Sequence, residues 1–330
     1  MRSFVPHPLL RERHLMTLAG ALWPVRTPCL PRAQERLFAV EAGTQILAKC
    51  HWQAEPRDCP TLALVHGLEG SSESSYMRGA AEKAFLSGFN VLRLNQRNCG
   101  GSDRLTPTVY NSGLSGDFRA VLGELIARDG LRAICFVGYS MGGNLVLKMA
   151  GELGAAAPAE LIAVCGVCPT LELAVCVDAI ARPGNRFYQT HFVRRLKTRM
   201  RRKALLFPGK FDLGGLARLR TIREFDDTIT APLSGYRDAV DYYERASAVR
   251  SAGQVSVPTL ILTAQDDPIV PFSLFGASAI AGNPRIVLEA PEYGGHCSFI
   301  SRWSGWERHW AEARVVEFCC QTAKRSQKTV

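Results

Sequence analysis

The run Gly138-Tyr139-Ser140-Met141-Gly142-Gly143 directly follows the apolar stretch Ala133-Ile134-Cys135-Phe136-Val137, and a helical pattern from Asn144 to Leu153 follows it. A serine hydroxyl is a weak nucleophile until a neighbouring base takes its proton. At a sharp strand-to-helix turn that hydroxyl is held out toward base and substrate. The same turn brings the residues two places before and after so close that side chains would collide. Glycines at 138 and 142 remove the collision, and the helix N-terminus behind Ser140 adds positive potential where an oxyanion would develop. Ser140 is therefore the candidate nucleophile. Without its flanking strand and helix, the same G-x-S-x-G would read as a glycine-rich turn with a solvated serine.

A base and an acid must come from elsewhere in the chain, in the order serine, acid, histidine for a turn of this kind. Seven histidines are present, and only His296 and His309 follow the late apolar strands. His296 sits in Tyr293-Gly294-Gly295-His296-Cys297-Ser298-Phe299, a turn flexible enough to carry an imidazole back to the serine, whereas His309 falls in the helical pattern 303–313 and reads as a packing or surface residue. The acid must accept a hydrogen bond from the imidazole and fix its tautomer. The loop Gln265-Asp266-Asp267-Pro268-Ile269-Val270-Pro271 offers two carboxylates. The D-x-I-V-P spacing favours Asp267, with Asp266 as the alternative or as a turn-capping residue. Two backbone N–H groups should complete the site as an oxyanion hole. Met141, next to the nucleophile, is one, and Leu68 in His66-Gly67-Leu68-Glu69-Gly70 is the other. His66, at a strand end beside Gly67, reads as loop support rather than a second base.

These residues need a rigid frame. Short apolar runs at 61–65, 89–94, 133–137, 161–167, 257–262 and 285–288 alternate with helical patterns at 74–87, 112–128 and 144–153. Continuous apolar runs between amphipathic helices predict a mostly parallel, doubly wound α/β sheet buried on both faces. Segments 36–41 and 45–52, around Ala42-Gly43-Thr44, predict an antiparallel hairpin at its edge. The rhythm breaks over 170–250, which is helical, basic and aromatic, and reads as a lid inserted into a single domain spanning 1–330. A helix is expected over 303–320 and a frayed tail over 324–330.

The chain has 330 residues, 47% of them apolar and 21% charged, as expected of a folded domain with a sizeable core. The net charge of +10 favours anionic surfaces and says little about fold. Eleven cysteines, several within apolar runs, read as buried thiols in a reducing compartment. Cys165-Gly166-Val167-Cys168 has no second cysteine pair at zinc-site spacing, so neither a metal nor another cofactor is expected. No secretory signal and no apolar run of about 18 residues is found, and a cytoplasmic protein is expected.

Several motifs in one order resemble the YheT-like, embryogenesis-associated branch of the α/β-hydrolases: Pro8-Leu-Leu-Arg-Glu-Arg-His14-Leu-Met-Thr17-Leu, His66-Gly-Leu-Glu-Gly-Ser, Asn95-Gln-Arg97-Asn-Cys-Gly100-Gly101-Ser102, Phe225-Asp226-Asp227 through Ala231-Pro232, and Tyr293-Gly-Gly-His296. Asn98 stands where that branch usually has glycine. The resemblance implies the α/β-hydrolase fold and hydrolysis of carboxylic esters through an acyl-enzyme, but does not fix the acyl chain or the alcohol. The substrate expected is a small-molecule ester or lipid of short to medium acyl length. Acyl transfer, phospholipase activity and non-catalytic lipid binding are the alternatives. In the lid, Arg194, Arg195, Lys197, Arg199, Arg201, Arg202 and Lys203 form a basic run. It reads first as a solvated helix face and second as a peripheral contact with anionic membrane or substrate. No recognition motif accompanies the charge, so no nucleic-acid partner is expected. Phe187, Tyr188, Phe192, Phe207 and Phe211 are candidates for an acyl pocket or for packing the lid.

Overall fold

The computed structural model describes residues 2–327. Eight strands make one sheet: β1 (Gln34–Glu41), β2 (Thr44–His51), β3 (Thr61–Val65), β4 (Asn90–Leu94), β5 (Ile134–Tyr139), β6 (Leu161–Val167), β7 (Thr259–Leu262) and β8 (Ile286–Glu289), in the order β1-β2-β4-β3-β5-β6-β7-β8. The hairpin β1–β2 occupies one edge, antiparallel within itself and against β4. From β4 to β8 every neighbouring pair is parallel.

The helices are α1 (Arg13–Leu22), α2 (Ser75–Leu86), α3 (Ser115–Ala127), α4 (Met141–Leu153), α5 (Leu173–Ala181), α6 (Arg186–Leu206), α7 (Ile222–Phe225), α8 (Ala231–Leu233), α9 (Ala239–Ala246), α10 (Ser278–Ala281) and α11 (Trp310–Gln327), with a π-helical turn at Asp226–Thr230. The alternation of side chains along β3 shows why Leu62 to Val65 are all apolar. Ala63 and Val65 pack into a layer with Phe118 of α3 and Leu145 of α4, while Leu62 and Leu64 pack into the opposite layer with Met77 of α2 and Val316 of α11. Each such burial of a Val or Leu is worth about 1.5–3 kcal/mol. Every residue of β3, β5 and β6 is buried, which makes the central strands a stiff base for the loops at their C-terminal ends.

Helices α5 to α9 fill the chain between β6 and β7, where the sequence predicts an all-helical stretch. The C-terminal helix begins at Trp310 rather than near 303. Residues 305–307 form a single 3₁₀ turn, and His309 is paired in a bridge to Ile300 instead of lying within a helix. Helix α11 runs through Gln327, so the segment expected to fray is helical over 324–327, and 328–330 lie outside the described residues.

Candidate active site

Ser140 sits between the last residue of β5 and the first of α4 with φ 53° and ψ −117°, a left-handed backbone that a side chain rarely adopts. The flanking glycines make this bend achievable. A Cβ on Gly138 would lie 2.1 Å from the Gly142 carbonyl oxygen, and one on Gly142 would lie 2.4 Å from the Val65 carbonyl oxygen. The Ser140 N–H donates to the Val167 carbonyl at 2.8 Å, tying the bend to β6.

His296 comes from the loop after β8, 156 residues away, and its Nε2 is 2.9 Å from Ser140 Oγ. Its Nδ1 is 2.8 Å from Asp267 Oδ2. Since the carboxylate can only accept, Nδ1 carries the proton and Nε2 is left to accept the serine hydroxyl. Asp267 is held in turn, because its Oδ1 accepts the N–H groups of Ile269 at 2.8 Å and Val270 at 3.0 Å. Asp266 does not touch the imidazole. Its Oδ1 accepts the Gly295 N–H at 2.9 Å, so it holds the loop that carries His296. Burial pushes the His296 pKa down, but the adjacent Asp267 carboxylate outweighs it and leaves the imidazole more basic than usual.

The His66-to-Gly70 loop lies against Ser140, with a Cβ on Gly67 only 3.1 Å from the serine Cβ. The Gly67 N–H donates to Tyr76 OH at 3.0 Å and the Glu69 N–H to Tyr110 OH at 3.2 Å. Between them, the Leu68 N–H has no acceptor among the described residues, and neither does the Met141 N–H at the start of α4. These are the two amides expected to hold an oxyanion. His66 is fully buried, with Nδ1 2.8 Å from the Gly67 carbonyl and Nε2 accepting the Gln96 N–H at 3.1 Å. Burial lowers its pKa to about 4, as suits a neutral imidazole bracing a loop.

Three supports of this geometry have roles not expected from the sequence, although Thr17 and Glu69 lie within motifs quoted above. Thr17 of α1 accepts the His296 N–H at 2.9 Å through Oγ1, which itself donates to the Arg13 carbonyl at 2.7 Å. Tyr76 OH holds Gly67. Glu69, at φ 56°, is gripped by Arg199 of α6 and by Tyr110 OH at 2.6 Å. The basic run is thus not one solvated face. Arg195 donates to the Glu69 carbonyl at 2.8 Å, Arg202 lies 3.3 Å from Asp103, and Lys203 is buried on the carbonyls of Asp103 and Thr106. The physical reason is that two loops below α6 carry buried carboxylates and inward carbonyls that need cations. Arg194 and Arg201 remain exposed. Of the lid aromatics, Phe187, Tyr188 and Phe192 line the site, whereas the rings of Phe207 and Phe211 lie 4.4 and 5.7 Å from Lys203 Nζ.

Two cavities meet at Ser140 and His296. One, of about 80 Å³, is lined by Val177 and Ile180 of α5, Leu196 of α6 and Ile222 of α7. The other, of about 590 Å³, opens between α1 and α6 past Leu18, Leu22 and Phe187. Cys168, His296 and Cys297 offer three ligand atoms within 4.8 Å of one another, but both imidazole nitrogens already face Asp267 and Ser140. Cys165 and Cys168 do not pair: Cys165 Sγ faces Cys319 Sγ at 3.9 Å, and Cys168 Sγ accepts the Cys297 N–H at 3.3 Å.

Residues 60–302 match the family model described as the alpha/beta hydrolase fold. The YheT protein of Escherichia coli (strain K12) is 31% identical over 318 residues, covering 96% of this chain and 92% of that one. Phospholipase ABHD3 of Mus musculus is 29% identical over 242 residues, covering 73% of this chain and 58% of that one. The esterase Pf2001 of Pyrococcus furiosus, a solved structure, superposes with a TM-score of 0.59 at 16% identity over 97% of this chain and 98% of that one, which speaks to the fold. Sheet order, the bend at Ser140 and these matches agree, and the chain belongs to the α/β-hydrolase family, in the branch that includes YheT.

Proposed function

We propose that this protein is a serine hydrolase that cleaves carboxylic esters through an acyl-enzyme. The observation that carries the reading is the unbroken chain from Ser140 Oγ through His296 to Asp267, at 2.9 and 2.8 Å, beside two unpaired amides. Ser140 Oγ attacks the ester carbonyl carbon while its proton passes to His296 Nε2. Asp267 keeps Nδ1 protonated and stabilises the imidazolium. The Leu68 and Met141 N–H groups hold the oxyanion. Collapse breaks the bond to the alcohol oxygen, which leaves with the proton from Nε2. Water then repeats the sequence on the acyl-enzyme and frees the acid.

Relatives bearing the names esterase and phospholipase support an ester or lipid substrate. Helices α5 to α9 act as a lid in this reading, because their side chains line the smaller cavity beside Ser140. Acyl transfer would use the same groups, with an alcohol in place of water. No helix among the described residues is long and apolar enough to cross a membrane. We place the protein in the cytoplasm on its eleven unpaired thiols. Of the basic run, only Arg194 and Arg201 are left wholly free for a peripheral contact with an anionic surface.

The test is labelling by a fluorophosphonate together with hydrolysis of p-nitrophenyl acetate. Both should occur with the native chain and vanish in Ser140→Ala. A folded native chain that neither labels nor hydrolyses would sink the reading and favour a lipid-binding role.

A further inference from the structure

Helix α1 departs from the usual pattern of a surface helix, which turns apolar side chains inward and polar ones to water. Over Arg13–Leu22 the chain reads Arg-His-Leu-Met-Thr-Leu-Ala-Gly-Ala-Leu, with no acidic residue and nothing titratable after His14. Met16 and Thr17 form its buried face, and Thr17 holds the His296 N–H. The outward face is apolar as well. Leu15, Leu18 and Leu22 lie on one side of the helix and are 52%, 38% and 78% exposed, with Ala21 exposed beside them. A single exposed leucine is ordinary, but a whole helix face of them marks an interaction surface.

Helix α6 stands across the mouth of the larger cavity. His14 of α1 packs on Phe187 of α6 with ring centres 5.8 Å apart, so the exposed leucines and the exposed Phe187 form one apolar rim. Phe187, Arg194 and Arg201 recur at intervals of seven residues, close to two helical turns, and all are exposed, which puts them on one outer stripe of α6. Arg186–Leu206 contains no aspartate or glutamate. The carboxylates that line the cavity, Glu69 and Glu312, are buried and paired with Arg199 and Lys83. Glu12 is exposed before α1, where it accepts the Leu15 N–H at 2.8 Å, and it stands between the exposed Arg11 and Arg13. The rim is therefore apolar at its centre and cationic around it.

We infer that α1 and the outer stripe of α6 dock on an anionic phospholipid surface. Leu15, Leu18, Leu22 and Phe187 enter the headgroup layer, and Arg194 and Arg201 meet its phosphates. Charge decides between a lipid surface and a second copy of this chain. Two copies of this face would set arginine against arginine with only Glu12 to offset them. An anionic headgroup layer supplies the negative charge that the face lacks and takes up its leucines. The contact stands on the exposed side chains, whereas its use rests on the ester-hydrolase reading. Seated in this way, the cavity mouth opens onto lipid, and an apolar ester reaches Ser140 without crossing water.

The test floats the full chain with vesicles of phosphatidylcholine alone and of phosphatidylcholine mixed with phosphatidylglycerol, at low and high salt. Binding is expected to the mixed vesicles, and high salt should release it. Leu15 lies outside the walls of both cavities, and Leu15→Gln should weaken binding about fivefold. Arg194→Gln combined with Arg201→Gln should weaken it about thirtyfold, about fivefold for each arginine. Neither change touches the Ser140 site. Fluorophosphonate labelling and hydrolysis of p-nitrophenyl acetate in water should therefore match the native chain, which shows that the variants fold. Equal binding to both kinds of vesicle, or binding unmoved by either variant, overturns the inference. So does a native chain that labels but does not float. Light scattering that reveals a dimer dispersed by Leu15→Gln also overturns it, because a second copy then covers the face. A chain that floats with mixed vesicles yet neither labels nor hydrolyses keeps the docking face and sinks the hydrolase reading instead.

Discussion

Arg199 grips Glu69 with two parallel contacts, Nε to Oε1 at 2.8 Å and Nη2 to Oε2 at 3.0 Å, across 130 positions of the chain. The gripped residue directly follows Leu68, whose amide is one of the two free donors at Ser140. Burial would raise the Glu69 pKa, but Arg199 holds it below the ordinary carboxylate range. Removing the guanidinium leaves a buried carboxylate unpaired beside that donor. Arg199→Met is expected to lower kcat about tenfold to a hundredfold, the scale of a misplaced donor, with KM changed little. Arg199→Lys, which keeps the charge but not the fork, should fall between. Steady-state kinetics on one p-nitrophenyl ester decides this, and a loss confined to KM would refute the positioning role.

The two neighbouring carboxylates should separate cleanly. Asp267→Asn presents the wrong partner to Nδ1 and should cost about 10⁴ in kcat. Asp266→Ala only frees the Gly295 N–H and should cost far less, about tenfold. If the two losses were reversed, the assignment of the acid would be reversed with them.

The same contact sets the pH profile. In the proposed mechanism His296 acts as a base only when neutral, and Asp267 makes it more basic than the ordinary value of 6.5. The acid limb of kcat/KM is therefore expected to turn above pH 6.5. In the residual activity of Asp267→Asn the limb should move downward, because the carboxylate that outweighs burial is gone. A limb that stays in place would show that another group controls it.

Asp226 bears on stability rather than rate. Burial raises its pKa from 3.8 to about 6. Below about 3.8 the folded and unfolded chains are both protonated here, and the folded state keeps the full benefit. As pH rises through 6 that benefit is lost, since the unfolded chain ionises more easily. Asp226→Asn should thus raise stability at pH 8 by on the order of 1–3 kcal/mol, with little change near pH 3.5. Denaturant midpoints at the two pH values measure it, and equal shifts at both would refute it.

Gly138→Ala would put a Cβ 2.1 Å from a backbone carbonyl that cannot move away cheaply. Severe destabilisation, on the order of several kcal/mol, is expected. Gly116→Ala is the control, because it lies within α3 with nothing inside 4 Å and should be neutral or slightly stabilising. Thermal melts of the pair suffice.

The frame and the central residues were legible because each answers to a local rule. Apolar runs mark strands buried on two faces, and the paired glycines mark a bend that excludes Cβ atoms. The D-x-I-V-P spacing favours Asp267 without excluding Asp266, since one peptide of rotation decides which carboxylate meets the imidazole. Thr17, Tyr76 and the Glu69–Arg199 pair stayed hidden for another reason. Each acts through a contact between segments far apart in sequence, and a threonine or arginine on a helix looks the same whether it faces solvent or a distant loop. The basic run shows this most plainly: its charges look alike in sequence, yet some are exposed and others neutralise buried groups.

Thr17 meets His296 across 279 positions. During synthesis the serine bend can form once β5, β6 and α4 have emerged, long before the histidine loop leaves the ribosome. In the proposed mechanism a partly made or C-terminally clipped chain would therefore carry an inert hydroxyl, and competence would arrive only when an early helix and a late loop close on each other. Proteolytic nicking late in the chain should silence the protein while leaving most of its sheet intact.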